Sequence, residues 1–148
     1  MIIRLSGKDP RCWALMPLLT ERVINSAIRF NQANFAQLVE EVVNELTRGG
    51  DKYAVWMDVH DWKITAHLLV HEDWFNGRKI AYIEHFVADK PVLPADSRMV
   101  WTEMESWARS RGCTEVFMVT NRLNRVRAWE RRYGMKMVKA VMTRELPP

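Results

Sequence analysis

The chain has 148 residues, of which 48% are hydrophobic and 27% charged, as in an ordinary globular protein with one domain and one sizeable core. No apolar run approaches the roughly 20 residues of a membrane helix, and the first residues lack the apolar stretch of a secretory signal. We therefore expect no membrane segment and a cytoplasmic location, in which Cys12 and Cys113 do not form a disulfide framework.

The net charge of +4 is unevenly distributed along the chain. Residues 98–148 hold 11 Lys and Arg against 5 Asp and Glu, whereas residues 1–97 hold 11 against 13. A basic C-terminal third suits a phosphate-bearing ligand, a nucleic acid or an acidic partner, but a solvated helix face has the same composition. Charge alone leaves these interpretations open.

The N-terminal third predicts one short strand and two helices. Ile2–Leu5 is the strand, and the apolar residues between Trp13 and Ile24 favour a helix whose regularity Pro17 limits. The second helix has the clearest pattern, because its apolar residues follow helical spacing: Phe35, Leu38, Val39, Val42, Val43 and Leu46. Asn34 with Gln37 makes a capping box at its start, and Gly49-Gly50 ends it.

The pattern then changes to alternation with period two, which predicts strands. One strand covers residues 53–60 and the next residues 64–71, with a turn around His60-Asp61-Trp62 between them. Asn76-Gly77 is a strong turn signal into a third strand, Lys79–Val87. We expect these three strands to form an antiparallel meander.

A proline-bounded loop follows the third strand and leads into the central helix. Pro91 and Pro94 exclude regular structure in the loop, and Asp96-Ser97 is a good N-cap pair for a helix from Ser97 to Arg111. Gly112 stands where a helix-ending residue belongs. A strand that feeds a loop and a helix start predicts an anion site, because the first amides of the helix are unpaired.

The C-terminal third contains a buried strand, Thr114–Thr120, and a basic helix that begins at Asn121 or Asn124 and ends at Gly134. A last strand or short hairpin, Met135–Leu146, completes the chain. The predicted order is therefore β-α-α-β-β-β-α-β-α-β, in one α/β domain that covers residues 1–148.

Three segments of this order carry a resemblance to a known family. They are AYIEHFVAD at the Lys79 strand, TEVFMVTN at the Thr114 strand, and AWERRYGMKMV at the end of the basic helix. In these segments the chain resembles the GNAT (GCN5-related N-acetyltransferase) superfamily. The resemblance implies a mixed sheet whose parallel fourth and fifth strands splay apart to admit the pantetheine arm of acetyl-CoA. The pyrophosphate would then lie on the amides at the start of the central helix.

Carrying the family's residues over gives candidate cofactor-binding positions. The resemblance implies contacts at the ends of the two splayed strands, in the phosphate loop and at a replacement arginine: Val87, Ala95, Ser97, Arg98, Met99, Asn121 and Arg125. Val92 stands where the family's loop has arginine, so Arg98, or Arg122 and Arg125, would take over that charge. Asp96 adds a carboxylate that competes with phosphate for the amides, which predicts weak binding of acetyl-CoA.

The same comparison supplies candidate catalytic residues. Glu84 falls on the strand glutamate that serves as general base in many members, although a lone strand glutamate is also compatible with a polar edge or a structural ion pair. Glu130 occupies the position of the family's general-acid tyrosine. Tyr133 stands three residues later and is expected to pack as the apolar residue before Gly134.

Other residues with the chemistry for a site are weaker candidates. The four histidines and nearby aspartates do not predict a metal site, because His67 and His71 lie about 13 Å apart on one strand. Cys113 is expected to be a core thiol. Trp62 and Trp74, near turns, are the candidates for exposed contact residues.

Two functions therefore remain open. The first is an acyl-CoA-dependent N-acyltransferase acting on an amine of a small molecule or a protein. The second is a catalytically inactive GNAT-fold binding or structural protein, for example a phage virion component, which would place it in the virion. The basic helix carries Arg125, Arg127, Arg131 and Arg132, which helical geometry turns toward solvent. For these arginines we expect a protein partner and not a nucleic acid, because no aromatic residues are interleaved with them on the exposed face.

Overall fold

The computed structural model describes residues 2–5, 11–26, 37, 40–41, 43–46, 48, 52–89, 94–118 and 126–136. The elements are β1 (Ile2–Leu5), α1 (Arg11–Ser26), β2 (Tyr53–His60), β3 (Lys63–Phe75), β4 (Arg78–Ala88), α2 (Pro94–Ser110), β5 (Glu115–Met118) and α3 (Val126–Tyr133). The described residues from 37 to 46 are also helical, as their apolar spacing predicts. Residues 119–125 and 137–148 lie outside the described part, and with them the predicted start of the basic helix and the last strand.

The strands form a five-stranded mixed sheet within the described part, in the order β1-β2-β3-β4-β5. β1 to β4 pair antiparallel, which confirms the predicted meander. β5 pairs parallel with β4 from Ile80↔Glu115 to Ile83↔Met118, as the resemblance implies. β4 continues to Ala88, beyond the last of these pairs, whereas the described part of β5 ends at Met118.

Both hairpins of the meander have two-residue turns. Asp61 and Trp62 have φ of 47° and 59°, and Asn76 and Gly77 have φ of 51° and 73°. Positive φ at both central residues is the geometry of a type I′ turn, whose twist matches that of the flanking strands. Both predicted turns are therefore confirmed, and the second aligns Phe75 with Arg78.

The sheet is buried on both faces. On one face, which we call the α1 face, Leu15, Met16 and Leu19 of α1 and Leu46 pack against the odd-numbered residues of β2. On the other face, which we call the α2 face, apolar residues of α2 cover the even-numbered residues of β2. These α2 residues are Val100, Trp101, Met104, Trp107 and Ala108. The alternation in β2 thus separates two core clusters and does not separate core from solvent.

α1 runs without a break through Pro17, although the sequence predicts that this residue limits its regularity. A proline inside a helix costs about 3 kcal/mol, through a lost hydrogen bond and a steric clash. The burial of Leu15, Met16 and Leu19 offsets that cost, because fully burying one such side chain is worth about 1.5–3 kcal/mol.

α2 begins at Pro94, so the predicted start at Ser97, with Asp96-Ser97 as the N-cap pair, is wrong. Proline suits the first helical position, because its missing N–H has no partner there and its φ is already helical. The predicted end is confirmed. Gly112 has φ of 78°. Its amide donates to the Arg109 carbonyl, and the Cys113 amide donates to the Ala108 carbonyl. These two hydrogen bonds form a Schellman motif.

Arg22 of α1 joins the helix to the ends of β3 and β4. Its Nε donates to His67 Nδ1 at 3.0 Å, and its two terminal nitrogens donate to the Ile64 and Thr65 carbonyls and to both carboxylate oxygens of Asp89. Every N–H of the guanidinium therefore has an acceptor. This contact fixes the α1 layer at the end of the sheet where β4 leaves for the loop.

A second ionic cluster joins α2 to the opposite end of the same strands. Glu72 contacts Arg111 and lies 2.9 Å from Lys79 Nζ, which also donates to the Arg111 carbonyl. Burial would raise the pKa of Glu72, but the hydrogen bonds from Arg111 and Lys79 outweigh it and hold the pKa below its usual value. The two clusters hold the helical layers at both ends of β3 and β4.

α3 packs its aromatic side onto the α2 face and ends at Gly134, as predicted. Gly134 has φ of 63°, and its amide donates to the Glu130 carbonyl at 3.0 Å. The described helices include none long and apolar enough to cross a membrane.

Candidate functional site

The β4 strand contains a β-bulge at Glu84. Leu69 of β3 lies opposite His85 and the next residue, Val70, lies opposite Ile83, so Glu84 has no partner in the register. Ile83 is also the last β4 residue that pairs with the described part of β5. Bulges redirect side chains and often lie beside active sites. The bulge thus sets the predicted base apart from the regular register of β4 with β3.

Glu84 contacts a buried histidine on the α1 face. His71 Nδ1 lies 2.7 Å from Glu84 Oε1, and His71 Nε2 lies 3.5 Å from Asp73 Oδ2. The first contact has the distance of an ion pair but not the directional geometry of a hydrogen bond. Glu84 therefore has His71 as a close neighbour, yet 23% of its side chain remains exposed.

Two tyrosines lie beside the histidine. Tyr53, His71 and Tyr82 are opposite one another on β2, β3 and β4, and the His71 ring lies 5.4 Å from the Tyr53 ring and 5.3 Å from the Tyr82 ring. Burial, followed by nearby carboxylates that include Glu84, raises the pKa of both phenols. Both therefore remain protonated at neutral pH and can donate a hydrogen bond.

The site is negatively charged. The carboxylates that raise the pKa of Tyr53 after burial come from three elements: Glu41, Glu84, Glu45 and Asp73. Lys52 is a nearby cation, with its Nζ 5.6 Å from the centre of the Tyr53 ring. This excess of negative charge favours a positively charged ligand over an anion.

The second predicted catalytic residue is in a different setting. Glu130 is exposed on α3, and its backbone carbonyl accepts a hydrogen bond from the amide of Gly134. Tyr133 packs inward against Trp101, Phe86 and Trp129, which confirms that it serves as a packing residue. The side-chain contacts recorded for the described residues do not bring Glu130 to the His71–Glu84 pair.

The candidate cofactor positions lie on β4, on the first turns of α2, and outside the described part. Val87 is half-buried on β4 opposite His67, and Arg98 and Met99 are exposed on α2. Ala95 and Ser97 belong to the first turn of α2, where amides have no intrahelical acceptor. Asn121 and Arg125 lie outside the described residues, and their roles stay predictions.

His71, Tyr53, Tyr82 and Asp73 are the residues of this site that the sequence analysis missed. The alternation in the strands shows which residues share a face of the sheet. It does not show which residues lie opposite one another, because that depends on the cross-strand register. Among the described His, Cys, Asp and Glu side chains, no group of three or more is arranged to hold a metal ion. His67 and His71 instead serve separate contacts, with Arg22 and with Glu84.

Three other sequence expectations can be compared with the structure. Cys113 is a free, buried thiol whose pKa is raised, first of all by burial, which confirms that it is a core residue. Trp62 and Trp74 are 69% and 68% exposed, as expected for residues near turns. Neither indole makes a described contact with the site at Glu84, although the backbone amide of Trp74 donates to Asp73 Oδ1 at 2.8 Å.

Solved structures with the same fold are numerous, although the sequences differ. No protein-family model matches the sequence, and no curated protein sequence is similar to it. A predicted acetyltransferase of Clostridium acetobutylicum, solved with acetyl-CoA, superposes with a TM-score of 0.69 at 15% identity, over 98% of this chain and 95% of that one. The glucosamine-6-phosphate N-acetyltransferase of Arabidopsis thaliana gives a TM-score of 0.63 at 20% identity, over 99% and 98%.

An aminoglycoside N-acetyltransferase solved with CoA gives a TM-score of 0.64 at 12% identity, over 99% of this chain and 100% of that one. Identities this low establish the fold alone, but the coverage leaves almost no part of either chain unmatched. Together with the parallel β4–β5 pair beyond the meander, these likenesses confirm the fold that the resemblance implies. The chain therefore has the fold of the GNAT acetyltransferases.

Proposed function

We propose that the chain is an acyl-CoA-dependent N-acyltransferase in which Glu84 is the general base. The observation that carries the proposal is the β-bulge at Glu84, which lies on the strand that pairs parallel with β5 and leaves the carboxylate partly exposed. A partly exposed carboxylate at that point can reach a bound substrate. The acetyltransferases of the same fold that were solved with acetyl-CoA or CoA support the choice of acyl donor.

The residues present fit an acyl-CoA at the start of α2. The first turn of this helix has amides without intrahelical acceptors, which suit a pyrophosphate. An acyl-CoA would supply an activated thioester that a neutral amine can attack.

The chain's own residues would prepare that amine. An alkyl amine is mostly protonated at neutral pH, so a base must remove a proton before nitrogen can act as a nucleophile. Glu84 would accept this proton, directly or through one water molecule. The tyrosine hydroxyls of the site, which stay protonated, would donate hydrogen bonds to the acceptor.

The acceptor would be a cationic amine of a small molecule or of a protein. The four carboxylates near Tyr53 attract an ammonium group and repel an anionic ligand. The aromatic faces of Tyr53 and Tyr82 add surfaces on which a cation can lie.

The test combines donor binding with transfer. The full chain is titrated with acetyl-CoA while its melting temperature is followed, and thiol release is measured with spermidine, a lysine peptide and kanamycin as acceptors. We expect transfer to at least one amine, and a loss of about 100-fold or more in kcat for Glu84→Gln, because general bases contribute about 10²–10⁴-fold. Glu103→Gln, at an exposed position on α2, is the matched control. Equal rates in the two variants would remove Glu84 from the mechanism.

A second candidate function rests on the phosphate loop. Val92 stands where the family's loop has arginine and Asp96 adds negative charge near the helix start, so the chain lacks two features that favour a pyrophosphate. On this hypothesis the chain is a GNAT-fold binding or structural protein, for example of a phage virion, and it uses its surface to contact a protein partner. A melting temperature that acetyl-CoA leaves unchanged even at millimolar concentration would favour it over the enzyme.

A further inference from the structure

We propose that His71 is a positioning residue that holds Glu84 and passes on the proton that Glu84 takes from the amine, with Asp73 completing the path to solvent. The proposal rests on the proposed acyltransferase function. It assigns a task to a buried histidine that the general-base mechanism by itself does not use.

The contacts run in sequence from the bulge to the surface. Glu84 Oε1 lies 2.7 Å from His71 Nδ1, and His71 Nε2 lies 3.5 Å from Asp73 Oδ2. The side chains of Glu84, His71 and Asp73 are 23%, 11% and 56% exposed. Asp73 is thus the member of the series that is open to water, and the buried ring joins it to Glu84.

The ring is held by packing as well as by charge. Tyr53 and Tyr82 lie at its two sides, on β2 and β4, with ring centroids 5.4 and 5.3 Å away. Because all three residues are directly opposite in the sheet, the ring cannot turn away from Glu84 without displacing a tyrosine. A base held in this way is already oriented when the substrate arrives.

Among the described residues, titratable and charged groups surround His71 from several elements. Glu84 and Tyr82 face it from β4, Tyr53 from β2, and Asp73 lies on its own strand. Glu41 and Glu45 act on Tyr53, whereas Lys52 acts on Asp73 with opposite sign. The backbone amide of Trp74, which outweighs burial, lowers the pKa of Asp73, and the His71 ring lowers it further. Asp73 is therefore ionised at neutral pH and can accept a proton from the ring.

The proton balance of the relay is simple. An ammonium N–H bond of the acceptor breaks, and the proton forms an O–H bond on Glu84. Glu84 then transfers it to His71 Nδ1, while the Nε2–H of His71 passes its proton to Asp73 or to a water molecule beside it. A tautomer change returns the ring to its starting state, no electrons are exchanged, and Glu84 is again a carboxylate.

The first test does not need turnover. In the ¹⁵N-labelled full chain, the imidazole N–H signals are assigned to His71 by their loss in His71→Asn. In the resting state we expect the proton on Nε2 and none on Nδ1. Exchange of the Nε2 proton with water should slow at least severalfold in Glu84→Gln, because the ring loses the group that delivers protons to Nδ1, while Glu103→Gln leaves the exchange rate unchanged. A resting ring with its proton on Nδ1, or an exchange rate that Glu84→Gln does not alter, would overturn the relay.

The second test measures kcat with acetyl-CoA and the acceptor that gives the fastest transfer among spermidine, a lysine peptide and kanamycin. Because Asn offers a donor but no transferable proton, His71→Asn should lower kcat and leave the KM for acetyl-CoA unchanged. The loss should be about tenfold, which is less than the 10²–10⁴-fold contribution of a general base because Glu84 is retained. Added imidazole should restore part of the rate in His71→Asn but not in Glu84→Gln.

A purely structural role predicts a different pattern. His71→Phe keeps an aromatic ring between the tyrosines, so equal rates for His71→Phe and the wild type would overturn the relay. The melting temperature of each variant shows whether it is folded. Transfer by the wild type together with a failed imidazole rescue refutes the relay alone, whereas no transfer to any amine refutes the proposed function and the relay with it.

Discussion

The ring of Tyr133 stacks on the ring of Trp101, with their centroids 4.3 Å apart and their planes at 25°. Tyr133 also contacts Phe86 of β4 and Trp129 of its own helix. This packing joins α3 to α2 and to the part of β4 that runs beyond Ile83. The aromatic residue before Gly134 is therefore committed to holding the C-terminal helix on the sheet.

Tyr133→Ala should destabilise the chain by about 2 kcal/mol. Truncation of a fully buried aromatic costs about 3–5 kcal/mol, and Tyr133 is only half-buried. Tyr133→Phe keeps the stacked ring and should cost much less, which makes it the matched control. Urea unfolding of the two variants measures the difference, and equal losses would show that the ring contacts contribute little.

The ion pair between Arg22 and Asp89 should make stability depend on pH in the acid range. Arg22 donates to both carboxylate oxygens and lowers the pKa of Asp89, against a smaller effect of burial. A lowered folded-state pKa adds stability that is fully present above the unfolded pKa of about 3.9 and is lost as the pH falls through the folded value.

Asp89→Asn should therefore cost about 1 kcal/mol at pH 7, a modest figure because the carboxylate is 43% exposed. The difference from the wild type should shrink as the pH falls below about 4. Glu40→Gln, at an exposed position, serves as the control and should show no such change. A difference that stays constant with pH would exclude the ion pair as its cause.

The parts of the fold that the sequence predicted are those with a local signal. The strands of the meander follow from alternation, the Asn76-Gly77 turn from its dipeptide, and the helix ends from Gly112 and Gly134. The predicted start of α2 is wrong because the sequence offers two start signals close together. Pro94 determines the first turn, and the Asp96-Ser97 pair does not. Such competing signals need the helix's packing to decide between them.

The candidate site could be predicted only in part. Glu84 was identified by resemblance, but the bulge beneath it depends on how β4 aligns with β3, and no local pattern fixes that alignment. The spacing of His71 from His67 along β3 is visible in the sequence, whereas its partner across the sheet is not. Tyr53 and Tyr82 looked like ordinary strand residues for the same reason.

Charge at the phosphate loop should limit acetyl-CoA binding. We expect weak binding by the native chain, and about tenfold tighter binding by Val92→Arg with Asp96→Asn, because an arginine–phosphate hydrogen bond is among the stronger polar contacts. Asn is used at position 96 because glycine in the first turn would weaken α2. Val92→Leu with Asp96→Asn is the control without the new charge. Low-micromolar binding by the native chain in calorimetry would contradict the expectation and favour the enzyme.

The exposed arginines of α3 should not bind nucleic acid. Arg127, Arg131 and Arg132 are exposed, whereas Trp129 and Tyr133 pack against the α2 face and leave no aromatic surface between the arginines for base stacking. We expect no gel shift with random-sequence DNA at physiological salt, and we propose a protein partner for this surface. Phosphate binding, if it occurred, would weaken with salt at a log–log slope of about −0.9 for each phosphate neutralised. A clear shift that Arg127→Ala/Arg131→Ala abolishes, and that the control Lys136→Ala leaves intact, would make the protein a nucleic-acid binder instead.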